Sequence, residues 1–216
     1  MFRPIQSPDA PVTVVGAGEA TPELLKTALK HAPFLVAADG GARLADAAGA
    51  LPRAVLGDFD SVGALELPGV ERVHLPDQDA TDFMKCLMAL DAPLFIGVGF
   101  LGGRLDHQMA AFTALLQEAR PVVLLSAREL AFVAPLELTL NLPVGSPFSV
   151  YPLLPARLTT RGLKYPLTEA EVAPDGLIST SNEVAAEAVE VISDRRAMLV
   201  TAPLGVLEAV LSALGR

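Results

Sequence analysis

Tryptophan is absent from this chain, cysteine occurs once and histidine three times in 216 residues. A lone cysteine, Cys86, excludes an internal disulfide framework and a cysteine-rich zinc cluster. The histidines do not recur at metal-ligand spacing, so no zinc site is assigned. Cys86 falls in the apolar stretch from Phe83 to Leu90, where a free thiol is expected to serve as a small core hydrophobe rather than as a nucleophile. Positive charge is also scarce, with 16 Lys and Arg against 25 Asp and Glu and a formal charge of −9. A field of that sign repels a nucleic-acid backbone, but it leaves room for a small phosphate ligand held by a metal and local donors. No run has the length and purity of a membrane span. The nearest, Ala197 to Leu214, contains Pro203 and Glu208 and divides into a strand and a short amphipathic helix. Met1 to Pro11 carries three prolines and no apolar signal core. A cytoplasmic protein with neither membrane nor nucleic-acid partner is expected.

What the sequence has is apolar residues, 51% against 19% charged, enough to build one large core or two modest ones. Strand-like runs at Val12 to Val15, Phe34 to Ala38, Val55-Leu56, Val73 to Leu75, Leu94 to Val98 and Val122 to Leu125 alternate with helix-like segments. Thr21-Pro22-Glu23 is an N-cap, a proline at the first helical position and an early acid, and Thr81 is placed to cap a helix running to Leu90. Alternation of this kind predicts an α/β fold, a mostly parallel sheet with helices on both faces. After about residue 130 the helical period is lost, and Pro135, Pro143, Pro147, Pro152 and Pro155 punctuate short runs, which predicts a small all-β, sandwich-like domain. The expected domains are therefore 1–130 and 131–216.

Gly16-Ala17-Gly18 fails the dinucleotide fingerprint, because Thr21 stands where a third glycine is needed, and is expected to be a tight strand-to-helix turn. Four other clusters sit just after a predicted strand or at the head of a helix, where an α/β sheet places its active edge. Asp39-Gly40-Gly41 offers an acid and close backbone approach, or a plain Asp-Gly turn. Asp58 and Asp60, at i and i+2 of an extended segment, can face one hard cation, or both can be solvated. Asp79, Asp82 and Lys85 surround a helix start, where an acid also complements the helix dipole and Lys85 makes an ordinary i,i+3 pair. Gly102-Gly103-Arg104-Leu105-Asp106-His107 makes a phosphate cradle with a bidentate donor, Arg104.

Taken in order, ADGG at Ala38 to Gly41, LGDFDS at Leu56 to Ser61, DQDATDFMK at Asp77 to Lys85, GGRLDH at Gly102 to His107, RGLKYPL at Arg161 to Leu167 and STSNEV at Ser179 to Val184 resemble the thiamin pyrophosphokinase family. The resemblance covers most of the chain. It implies an N-terminal α/β domain binding ATP and magnesium, a C-terminal β-sandwich that meets thiamin and carries the dimer contact, and a homodimer with active sites between subunits. It implies that Asp58, Asp60 and Asp82 bind Mg2+, with Asp79 as a further ligand. Asp39, Gly40, Gly41, Lys85, Arg104, Asp106 and His107 would surround the nucleotide and its phosphates, and Asp106 is the carboxylate that would serve as base if the reaction uses one. Ser181 and Asn182 would meet thiamin. Two departures stand out: Ala111 replaces an Asn of many relatives, and no tryptophan is present to stack on thiamin. Val200 holds the position where animal relatives carry a Trp, so it is expected either to face thiamin or to be strand core. The implied reaction moves the diphosphate of ATP onto the hydroxyethyl oxygen of thiamin, giving thiamin diphosphate and AMP. A magnesium-dependent nucleotide phosphohydrolase and a non-catalytic thiamin sensor are the alternatives.

Overall fold

A computed structural model describes residues 9–59, 65, 67–75 and 79–215. The chain divides into two compact units, Met1–Ala127 and Arg128–Arg216.

The first unit runs β1 (Val12–Val15), α1 (Pro22–His31), β2 (Phe34–Ala38), a 3-10 turn at Asp39–Gly41, α2 (Ala42–Ala47), β3 (Ala54–Gly57), β4 (Glu71–His74), α3 (Asp82–Ala89), β5 (Phe95–Val98), α4 (Leu105–Gln117) and β6 (Val122–Leu125). Apart from the exposed edge strand β4, its strands are mainly apolar, and β1, β3, β5 and β6 are buried along their whole length, as a sheet covered on both faces requires. All pairings among these six strands are parallel, in the order β6-β5-β1-β2-β3-β4, with Val15 level with Ala37 and Val98. Strands β1 to β4 step outward to one side, and the chain then returns to lay β5 on the other side of β1. Right-handed crossovers running in opposite directions put their helices on opposite faces. In keeping with that rule, α1 packs with α2, and α3 packs with α4. The reversal between β1 and β5 is a topological switch point, and open α/β sheets bind ligands outside the carboxyl ends of their strands there.

Local chemistry sets the helix starts. Thr21 Oγ1 accepts from Leu24 N at 3.2 Å ahead of Pro22, and Thr81 Oγ1 accepts from Met84 N at 3.3 Å. Both caps match the sequence expectation. Cys86 is fully buried, and burial pushes its thiol well above the ordinary range, so it stays protonated and inert.

The second unit runs β7 (Glu129–Val133), β8 (Glu137–Asn141), β9 (Pro147–Pro152), β10 (Ala156–Arg161), β11 (Ala170–Val172), β12 (Ser179–Glu183), β13 (Ala188–Ser193), β14 (Met198–Pro203) and α5 (Leu207–Leu214). Two antiparallel groupings form, β12-β9-β14-β7 and β11-β10-β13-β8. Burial alternates residue by residue along β8, β9 and β13, so each sheet presents one face to a core. The segment Ala197 to Leu214 resolves into β14, a short 3-10 turn and α5, which packs on β8. Among the described residues no helix is long and apolar enough to cross a membrane.

Candidate active site

At the switch point the turns after β1 and β5 are bonded to each other. Gly16 N donates to Val98 O at 2.8 Å and Gly18 N donates to Gly99 O at 2.9 Å. The Gly16-Ala17-Gly18 segment is thus the tight turn expected. Beside it, Ala17, Gly18, Ala20, Gly40, Arg43 and Leu44 line an open hollow of about 410 Å³. Arg43 was not among the sequence candidates; its signal was its place four residues beyond Asp39, one helical turn away.

The neighbouring strands carry the acids. Asp39 follows β2 in the 3-10 turn, 5% exposed and with φ of 41°. Two glycines hold that turn in place. A Cβ on Gly41 would run into the Val15 carbonyl, and a Cβ on Gly57 would lie 2.8 Å from that of Asp39, at a backbone φ of 151°. Close packing of bare backbone is therefore what sets Asp39 against the ends of β1 and β3. Asp58 leaves β3 half-buried. Phe59 follows with φ of 68°, its ring 5.9 Å from that of His74 and the Arg72 guanidinium 5.8 Å from its centroid. A non-glycine residue held at positive φ by such packing is stored strain of the kind that collects at functional sites. Asp60, expected as the second acid of this segment, lies outside the described residues.

Asp82 opens α3, and Lys85, one turn later, places Nζ 3.3 Å from Asp82 Oδ1. Phe83, at the start of the same helix, packs on Phe100 with ring centroids 4.1 Å apart and ties α3 to the turn after β5. Burial raises the Asp82 pKa above its ordinary value. Lys85 opposes that rise through its hydrogen bond and charge, and the carboxylates of Asp39 and Asp58 add to it. Asp39 lies against Gly57 at the end of β3, and α3 packs on β2 and β3, so acids from the ends of β2 and β3 and the start of α3 share one edge of the sheet, where the charges of Asp39 and Asp58 act on Asp82. Asp79 lies exposed just ahead of α3.

Among the described residues no three acidic, histidine or cysteine side chains form a ready metal cage. Magnesium does not need one, since it commonly takes one or two carboxylates and completes its shell with water and substrate phosphates. Partly buried carboxylates whose negative charges meet at Asp82, holding its pKa above the ordinary value, fit such a hard cation.

The remaining candidates stand apart in character. Arg104 is the N-cap residue of α4 and binds Asp106 in a fork, Nε to Oδ1 at 3.1 Å and Nη2 to Oδ2 at 2.6 Å. Asp106 Oδ1 also accepts from His107 N at 3.0 Å, and all three residues are exposed. The Arg104 hydrogen bond holds the Asp106 carboxyl below its ordinary pKa, which makes it a poor proton acceptor. Ala111, on the same helix, is buried at 3% exposure.

In the second unit Ser181 sits on a β-bulge of β12 with φ of 56°, exposed, its N–H donating to Ser149 Oγ at 3.1 Å. Asn182 is turned inward at 5% exposure. Its Oδ1 accepts from Tyr165 N at 3.0 Å and Glu183 N at 2.9 Å, and its Nδ2 donates to Tyr165 O at 2.8 Å. The amide is occupied with backbone. Val200 is fully buried in β14, in register with Phe132 and Val150, and has the surroundings of strand core.

Two family descriptions match: thiamin pyrophosphokinase, catalytic domain, over residues 25–124, and thiamin pyrophosphokinase, vitamin B1 binding domain, over residues 137–198. This chain belongs to the thiamin pyrophosphokinase family. Thiamine pyrophosphokinase 1 of Oryza sativa subsp. japonica is 30% identical over 238 residues, taking in 88% of this chain and 87% of that protein. Thiamin pyrophosphokinase 1 of Caenorhabditis elegans is 31% identical over 152 residues, spanning 62% of this chain and 63% of its own length. Among solved structures, the thiamin pyrophosphokinase of Candida albicans superposes with a TM-score of 0.78 at 16% identity over 94% of this chain and 96% of that one. The thiamin pyrophosphokinase of Geobacillus thermodenitrificans gives 0.75 at 24% identity over 89% and 96%. These likenesses establish the same two-domain architecture, an α/β domain followed by an antiparallel β domain.

Proposed function

We propose that the chain transfers the β,γ-diphosphate of ATP to the hydroxyethyl oxygen of thiamin. The observation that carries this reading is the convergence of Asp39, Asp58 and Asp82 beside Lys85, at the carboxyl edge of the sheet, in a chain matching both domains of the family. The thiamin oxygen forms a bond to the β-phosphorus, the bond from that phosphorus to the α,β-bridging oxygen breaks, AMP departs and the hydroxyl proton is released. Asp58, Asp60 and Asp82, with Asp79 as an outer member, would hold Mg2+, which supplies neutralisation of the charge spread over the phosphate oxygens. Lys85 and Arg104 donate to phosphate oxygens, and the glycine-flanked turns at Gly40, Gly41, Gly102 and Gly103 let the chain lie close to them. His107 belongs to the same helix start. Positioning and electrostatics account for the catalysis, with no dedicated base assigned, since Arg104 favours the ionised form of Asp106 and leaves it little affinity for a proton.

The net charge of −9 assists the approach of a cationic thiazolium. We place the enzyme in the cytoplasm as a homodimer. The exposed apolar side chains Leu105 and Met109 on α4 and Met88 on α3 support burial against another chain.

Incubation with ATP, Mg2+ and thiamin tests the reading. AMP and thiamin diphosphate appearing together is the expected result. ATP hydrolysis indifferent to thiamin would instead make the chain a nucleotide phosphohydrolase, and thiamin binding without turnover would make it a sensor.

A further inference from the structure

We infer that Arg120 is a positioning residue for the Asp82–Lys85 pair: it holds the far end of α3, and with it the bearing at which both side chains meet the phosphates. This inference rests on the reading above and adds to it a residue that touches no reacting group.

An arginine beside a surface carboxylate is commonplace and contributes little. Arg120 is held differently. It lies between α4 and β6 with its side chain only 29% exposed, its guanidinium carbon 4.7 Å from the centroid of the buried Phe95 ring. Glu118, 14% exposed, accepts from Nε and from Nη2, each at 2.8 Å, and so fixes the plane of the fork. The fork is thereby aimed at α3, where Nη1 donates to Leu90 O and Nη2 to Leu87 O, both at 2.6 Å. Carbonyls at the end of a helix have no later helical N–H to accept from, and a cation there also complements the helix dipole.

The head of the same helix carries the chemistry. α3 has eight residues, too few to keep its shape or bearing without tertiary support. Thr81 caps its start, Arg120 grips its end, and the helix packs on β2, β3 and α4. Asp82 stands in the first turn and Lys85 one turn on, so a tilt of α3 carries both together. A misplacement of about 1 Å at a reacting centre costs on the order of a hundredfold in rate.

Arg120→Lys keeps a cation beside Glu118 but cannot span both carbonyls. It should lower kcat/KM for ATP about 10- to 100-fold and raise the Mg2+ concentration needed for half-maximal activity, with the thiamin KM unchanged. The rise in melting temperature produced by Mg2+ and ATP together should also need higher concentrations than in wild type. On a Lys85→Met background the same change should cost clearly less than it does alone, because part of its effect runs through Lys85. Glu118→Gln, which leaves Arg120 in place and weakens its anchor, should shift the same parameters by a smaller factor, and it supplies the test if Arg120→Lys does not fold. Wild-type ATP and Mg2+ dependence in the folded variant, a thiamin KM changed as strongly as that of ATP, or equal losses with and without Lys85 overturns the inference while the wild type remains active. A wild type that forms no AMP with thiamin overturns the proposed function, and this inference with it.

Discussion

Lys85 Nζ lies 3.3 Å from Asp82 Oδ1, one turn apart on α3, with the lysine side chain 5% exposed and the carboxylate 35% exposed. The pair is unequal. Lysine has lost nearly all its water and has the carboxylate as a charged neighbour, whereas for the carboxylate burial is the largest influence, opposed by the hydrogen bond and charge of the lysine and reinforced by the smaller effects of Asp39 and Asp58. The net effect leaves Asp82 reluctant to ionise, an imbalance that a bound divalent cation would relieve.

The first prediction follows from the sign of that shift. The native carboxyl has a pKa above the unfolded value of 3.8. Between those two values the native state binds more protons than the unfolded chain, so stability falls as pH rises through the window and stays lower above it. Asparagine does not titrate. Without divalent metal, the melting temperature of Asp82→Asn minus that of wild type should therefore grow as pH climbs from about 4 through the native pKa, then level off. Saturating Mg2+ should raise the wild type and shrink the difference. A difference that is flat with pH would show that Asp82 is not strained in the metal-free fold.

Lys85→Met separates the cation from its packing. Methionine fills a similar volume and removes a buried ammonium, so the melting temperature should change by only a few degrees. The activity should not survive so well. Losing a charge-assisted donor to the transferring phosphates costs about 1.5–3 kcal/mol, a fall of roughly 10- to 150-fold in kcat/KM. Equal losses of activity and stability would assign Lys85 to the fold alone.

Much of this was legible in the sequence because it depends on near neighbours. The Thr21 and Thr81 caps, the β-branched strands and the inert Cys86 are properties of a few consecutive residues. The placement of acids after strands and at helix starts is also local, and it is what singles out Asp39, Asp58 and Asp82 as candidates. What the sequence could not show is which partners a polar side chain takes. Arg104 and Asp106, two residues apart, take each other. Asn182 faces a loop 17 residues earlier in the chain, because a bulge in β12 resets which side chains point inward. Val200 illustrates the same limit from the apolar side: valine in a strand fits either a ligand face or a core face, and its sequence does not reveal the full burial it has in register with Phe132 and Val150.

The last prediction concerns glycine and distance. Gly41 and Gly49 stand at either end of α2, and each is a single methyl away from alanine. At Gly41 a Cβ would strike the carbonyl of Val15, main chain that cannot swing aside as a flexible side chain would. The 3-10 turn would have to lift away from β1, taking Asp39 with it. Gly41→Ala should therefore cost about 1–3 kcal/mol of stability, in the range of overpacked cores, and should lower turnover beyond what that loss explains. Gly49 has φ of 67°, but nothing lies within 4 Å of the place a methyl would take. Alanine there carries only the left-handed backbone penalty, about 1–2 kcal/mol, in open space away from the acids. Two variants of comparable stability, measured by chemical denaturation, should thus differ in kcat, with Gly41→Ala impaired and Gly49→Ala close to wild type. Equal activity in both would mean that the close approach of the Asp39 turn to β1 is not needed for catalysis.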